Sequence, residues 1–173
     1  MTIAYAHPAL EDLERVPAEL TARRQWVLWR AEPPRTPGEK PVKMPYSIHG
    51  GRASSTDPAT WGDFGAVVDA YEVGESWAGI GYVFAPNDPY IGIDLDDCRC
   101  PETGEVVEEA RAIIARLGGC YCEVSPSGEG VKCWARGTKP PRWPCRRKAR
   151  TFGWIEVYEV GRYFAVTGRA VTF

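Results

Sequence analysis

Apolar and polar residues alternate with two different rhythms along this chain. Between residues 8 and 20, Leu10, Leu13, Val16 and Leu20 recur at helical spacing, which predicts a helix interrupted by Pro17. Trp26-Val27-Leu28-Trp29 predicts a strand, and residues 31–55, rich in Pro, Gly and Lys, read as a long loop or hairpin. Thr56-Asp57-Pro58 opens a second predicted helix, with Asp57 as N-cap and Pro58 at its first position, placing Trp61, Phe64 and Val68 on one face. Strands are predicted at 79–84 and 90–96, and a helix at 106–117 stopped by Gly118-Gly119. Four more strands follow at 120–124, 131–135, 154–158 and 162–167. There is no internal repeat and no low-complexity tract. Many strands with a few helices predict an α+β domain.

One strand departs from ordinary patterning. In Ile91-Gly92-Ile93-Asp94-Leu95-Asp96-Asp97, side chains alternate faces, so Ile91, Ile93 and Leu95 turn to a core. Gly92, Asp94 and Asp96 then share the other face. Two like charges side by side repel and resist burial, and a divalent cation relieves both costs. The competing reading is a turn at the strand end, because Asp starts turns and Asp97-Cys98-Arg99-Cys100-Pro101 resembles one.

Three further features bear on that choice. Ser125-Pro126-Ser127-Gly128-Glu129-Gly130-Val131-Lys132 lies between two predicted strands. Its glycines permit tight turns, its hydroxyls and free N–H groups can cradle phosphate, and Lys132 adds a point charge. An ordinary Ser/Gly hairpin is the alternative, and no Walker A motif is present. Glu156 sits mid-strand between Ile155 and Val157, a costly place for a carboxylate unless its face is wet or paired. Arg162 opens the next strand, close to Glu156 if the two form a hairpin.

From Lys132 to Arg150 the basic residues include Arg136, Lys139, Arg142, Arg146, Arg147 and Lys148, with no acid among them and with Trp134 and Trp143 interleaved. Cations along a backbone path and aromatic faces for stacking suit single-stranded nucleic acid. A smaller basic set, Arg35, Lys40 and Lys43, lies in the early loop.

Composition bounds the rest. The chain has 173 residues, 44% hydrophobic, and a net charge of -2, so a nucleic-acid contact must be a local patch. No apolar run is long enough for a membrane span and no signal peptide is visible, which predicts a cytoplasmic protein (of the host cell, if viral). The six cysteines include two C-x-C pairs but no C-x-x-C, a poor zinc spacing. They read as core or bystander thiols, with a structural metal as the remaining alternative. The chain stops directly after a strand-like run, Tyr163 to Thr167, and so reads as a domain cut from a longer protein.

Carboxylates for divalent metals, a loop for a triphosphate and a basic aromatic stretch for a strand together describe template-directed nucleotidyl transfer. A sugar-nucleotide transferase using its DxD is a rival that the basic stretch and the Ser/Gly/Lys loop argue against.

The ordered motifs resemble the primase-polymerase domains of the archaeo-eukaryotic primase superfamily, as found in phage and plasmid replication proteins. They are Arg52 to Trp61, Gly79-Ile80-Gly81-Tyr82-Val83-Phe84, Ile91 to Asp96, Glu123 to Gly130, and Ile155-Glu156-Val157-Tyr158 through Gly161-Arg162 to Gly168. The resemblance implies a mixed β-sheet with an RNA-recognition-motif-like core (residues 76–173) beside a smaller N-terminal αβ unit (1–75), with flanking helices. It implies two Mg2+ or Mn2+ ions on Asp94, Asp96 and Glu156, and an incoming nucleotide on Ser125, Ser127, Gly128, Gly130, Lys132 and Arg162. Lys132 stands where the superfamily has a histidine. Expected partners are NTPs or dNTPs, a helicase domain C-terminal to this one, and a single-stranded DNA template along Lys43, Arg136, Lys139, Arg142, Trp143, Arg146, Arg147 and Lys148. The isolated domain is expected to be a monomer. The second reading keeps the fold as a non-catalytic nucleotide- or DNA-binding module.

Overall fold

The computed structural model of the chain describes residues 5–34 and 36–171. The first predicted helix is two short ones, α1 (Leu10–Leu13) and α2 (Ala18–Thr21), because Pro17 breaks the run and caps the second piece. β1 (Trp26–Glu32) and β2 (Val42–Tyr46) form a hairpin. The helix expected from Asp57 is a single 3-10 turn, Pro58–Thr60. Asp57 does cap it, accepting from the Ala59 N–H. Propagation then fails because Gly62 exchanges backbone hydrogen bonds with Trp26 and the buried Trp61 indole donates to Ser54. The α-helix proper, α3, starts only at Phe64 and ends at Val73.

β3 (Gly79–Phe84), β4 (Tyr90–Asp96), α4 (Glu108–Arg116), β5 (Tyr121–Val124) and β6 (Val131–Arg136) follow as patterned. After α4, Gly118 and Gly119 both take left-handed backbone angles that stop the helix. β7 (Arg146–Lys148) lies inside the basic stretch, where three consecutive cations hide any alternation. It is an edge strand, a place where exposed charge is at home. β8 (Trp154–Tyr158) and β9 (Arg162–Val166) complete the set.

The chain adopts the α+β class that its sequence predicted. Among the described residues the strands form two sheets, ordered β2-β1-β3-β9 and β5-β6-β4-β8-β7, with antiparallel neighbours throughout. β8 and β9 do not pair as a hairpin; the chain crosses from the second sheet to the first between them.

One face of the second sheet packs Ile93, Leu95, Val131, Cys133, Ile155 and Val157 against Ala110 and Ile114 of α4. Its other face meets the first sheet, where Phe84 and Phe164 pack edge to face with centroids 4.9 Å apart. Gly92 lets the sheets approach. A methyl group there would lie 2.5 Å from a Phe84 ring carbon and 2.6 Å from one of Phe164. Gly92→Val should therefore lower the unfolding free energy by about 1–3 kcal/mol through overpacking. Urea unfolding checks this; an unchanged midpoint would show that the sheets do not meet at Gly92.

Candidate active site

Strand register assembles the site. On β4, Asp94 lies directly opposite Lys132 of β6 on one side and Glu156 of β8 on the other. Directly opposed residues share a face, and Asp96, two residues on, shares it too. Carboxylate oxygens of Asp94, Asp96 and Glu156 all lie within 4.8 Å of one another. Asp94 and Glu156 border a cavity of about 210 Å3 that is also lined by Lys132 from the same sheet and by Lys43 and Arg162 from the other.

Cations pair with two of these acids and offset their mutual repulsion. The buried Lys132 ammonium donates to Asp94 Oδ2 and lies 4.4 Å from the centre of the Phe164 ring. Glu156 Oε1 sits 3.0 Å from Arg146 Nε, and its Oε2 accepts from the Tyr158 hydroxyl at 2.7 Å. Arg162 stacks over Tyr158 at 4.9 Å. The hydroxyl of Tyr158, two residues from Glu156 on the same face, is a partner that the spacing alone could have flagged.

Two observations fit a divalent ion here. Asp94 Oδ1 is buried and has no hydrogen-bond partner, an arrangement that ordinarily costs free energy. Burial, and then the neighbouring Asp94 charge, push the Asp96 carboxyl up to about 6, against the pull of Lys132. A hard cation between the carboxylates would satisfy the first and reverse the second.

The other sequence-predicted residues are distributed around this centre. The Ser125–Lys132 loop closes on itself: Ser125 Oγ accepts from Gly130 N–H at 3.1 Å and lies 3.0 Å from Ser127 Oγ, while Gly128 takes a left-handed turn. Gly130 packs beside Leu95 and Asp96, where any side chain would strike the Leu95 carbonyl. Lys132 enters the cavity, whereas the loop serines lie outside its lining.

The basic stretch is divided. Arg146 and Lys148 flank Trp154, at 4.0 and 5.2 Å, on the face that carries Glu156. Arg147 and Trp143 line a separate apolar hollow with Ile93 and Val157 on the opposite face. Arg136 pairs with Glu19 at 3.2 Å, Lys139 donates to the Trp143 carbonyl, and Arg142 is exposed. Lys43 is brought into the cavity by β2. Sequence reasoning did not single out Glu123, opposite Lys132 and fully buried, which accepts from the Thr167 and Gly168 N–H groups and from Tyr121. It anchors the chain after β9. Burial pushes its carboxyl up to about 7.

No family model matches the chain. A DNA primase-polymerase of Nitratiruptor phage NrS-1 is 34% identical to it over 165 residues, 93% of this chain and 20% of that protein. The chain thus spans about a fifth of the length of the curated relative it matches. Over nearly its whole length, this chain is a relative of a segment of a DNA primase-polymerase, the kinship that its ordered motifs implied.

Proposed function

We propose that this domain carries out template-directed nucleotidyl transfer on DNA, as a primase, a polymerase or both. The observation that carries the proposal is the convergence of Asp94, Asp96 and Glu156, with the unsatisfied Asp94 Oδ1 among them, beside a cation-lined cavity. Its kinship with a DNA primase-polymerase supports the same reading. Two divalent ions, Mg2+ or Mn2+, held by these carboxylates would acidify a primer 3′-hydroxyl and offset charge on the triphosphate and the leaving pyrophosphate. Lys132, Lys43 and Arg162 offer cations to the phosphates from both sheets. The Ser125, Ser127, Gly128 and Gly130 loop keeps Lys132 in place and lies beside Asp96. Arg146, Lys148 and Trp154 form the template edge nearest the carboxylates, one set of charges on the backbone and one ring for a base. Lys139, Arg142, Trp143, Arg147 and Arg136 extend the basic surface away from it.

The Lys132–Asp94 pair also supports the second reading, a module that binds nucleotide or single-stranded DNA without turnover. A lysine already neutralising Asp94 competes with a metal ion for the same carboxylate.

The test uses a primed single-stranded template with NTPs or dNTPs and Mg2+ or Mn2+. Wild type should extend the primer. Asp94→Asn/Asp96→Asn, folded by circular dichroism, should lose about 100-fold or more. Equal extension by the variant would contradict the metal assignment, and wild-type binding without incorporation would favour the module.

Lys43 adds a pH dependence. Burial, and then the Lys132 charge, pull its ammonium down to about 8, against the pull of Asp94 and Asp96. Between about 8 and the ordinary 10.5 the unfolded chain holds the extra proton, so this group makes stability rise with pH in that window. The phosphate-attracting form is lost over the same rise. Calorimetric triphosphate affinity should weaken up to about tenfold between roughly pH 7 and 9. Lys43→Met should flatten that dependence; an unchanged profile would remove Lys43 from the phosphate site.

A further inference from the structure

The opposite face of the same sheet carries a second convergence. Cys122 of β5 lies directly opposite Cys133 of β6. Cys120, two residues before Cys122, falls on the same face as it does. Cys120 and Cys122 sulfurs are 3.4 Å apart, and the three sulfurs all lie within 4.8 Å of one another. None is in a disulfide. Cys122 and Cys133 are sealed in the core against α4, whereas Cys120 is half-buried and leaves an opening to solvent. Cys133 directly follows Lys132, and alternation sends the two side chains to opposite faces, so this cluster is separate from the carboxylate cavity.

Buried small apolar residues need no such arrangement. The core cluster they belong to is otherwise apolar, with Ile114, Leu117 and Val171 among its members. Three sulfurs nonetheless turn toward one point. Tetrahedral zinc thiolates have Zn–S bonds of about 2.3 Å, which put their sulfurs roughly 3.8 Å apart. The 3.4 Å between Cys120 and Cys122 is within about half an ångström of that value, and Cys133 lies within 4.8 Å of both, so small side-chain rotations suffice.

We propose that Cys120, Cys122 and Cys133 bind one Zn2+ ion as thiolates, with water as the fourth ligand on the Cys120 side. Binding releases three thiol protons to solvent and leaves a net charge of -1 on the site, placed at its open edge. Soft thiolates select Zn2+, while the oxygen donors of Asp94, Asp96 and Glu156 suit Mg2+ or Mn2+, so the two faces of one sheet would hold chemically distinct ions. The zinc would tie β5 to β6 directly behind Lys132. The spacing C-x-C conceals such a site because its third ligand comes from the neighbouring strand.

The whole chain, reduced and stripped with a chelator, is titrated with Co2+ as a spectroscopic probe. One equivalent should produce sulfur-to-cobalt charge-transfer bands and the ligand-field bands of a tetrahedral ion, both erased by Zn2+. Zn2+ should also raise the thermal midpoint. Cys133→Ser and the half-exposed Cys120→Ser should lose both effects. Cys145→Ser, at an exposed thiol, and Asp94→Asn/Asp96→Asn should keep both, which separates this site from the proposed catalytic one. The proposal is overturned by absent thiolate bands, by bands that survive Cys120→Ser, or by binding of Cu+ alone. It is equally overturned if mass spectrometry of the protein as purified finds a Cys120–Cys122 disulfide, two hydrogens lighter, and no metal.

Discussion

Asp94 stands between Lys132 and Glu156 on three adjacent antiparallel strands, and the rest of the site depends on that register. Antiparallel pairing forces opposed residues onto one face, so an acid, its counter-cation and a second acid are neighbours before any loop is placed. A third acid, Asp96, joins them by alternation alone. Such a row resists burial, yet the sheet beneath it packs closely against another. Gly92 allows that approach, and the Phe164 ring of the first sheet then closes over Lys132. Asp94 Oδ1 is thereby buried without a hydrogen-bond partner, so the row is not an ordinary solvated surface.

The two sheets contribute different chemistry. β4, β6 and β8 supply the acids and Lys132, whereas β2 and β9 bring Lys43 and Arg162 across the gap. β7 adds Arg146 at the outer edge, where it neutralises Glu156 and faces the solvent. Negative charge therefore lies on the strands of one sheet, and positive charge closes around it from three directions. The Ser/Gly loop acts through the backbone: its internal hydrogen bonds fix the start of β6, and with it the position of Lys132.

Local patterning made most strands legible. The alternation in Ile91 to Asp96 located both the core face and the acid face, and Glu156 was recognisable as a carboxylate that apolar neighbours could not explain. What local patterning could not carry was anything set by a partner strand. Asp57 had the chemistry of a helix start and capped its turn, but the Trp26–Gly62 bridge ended that turn at once. Lys43 looked like a loop lysine until β2 swung it into the cavity. Arg146 read as one cation among eight, and only pairing with β8 singled it out as the partner of Glu156. Trp143 and Arg147 read as continuous with it, yet alternation and the turn before β7 put them on the other face. The cysteine cluster was hidden for the same reason.

Whether the three carboxylates form a divalent-metal centre can be read from anomalous diffraction of crystals soaked in Mn2+ with a non-hydrolysable nucleoside triphosphate. Mn2+ should bind among Asp94, Asp96 and Glu156, with the Lys132 ammonium turned from Asp94 to a phosphate oxygen. An empty carboxylate cluster, with Lys132 still bonded to Asp94 and nucleotide bound elsewhere, would contradict that assignment.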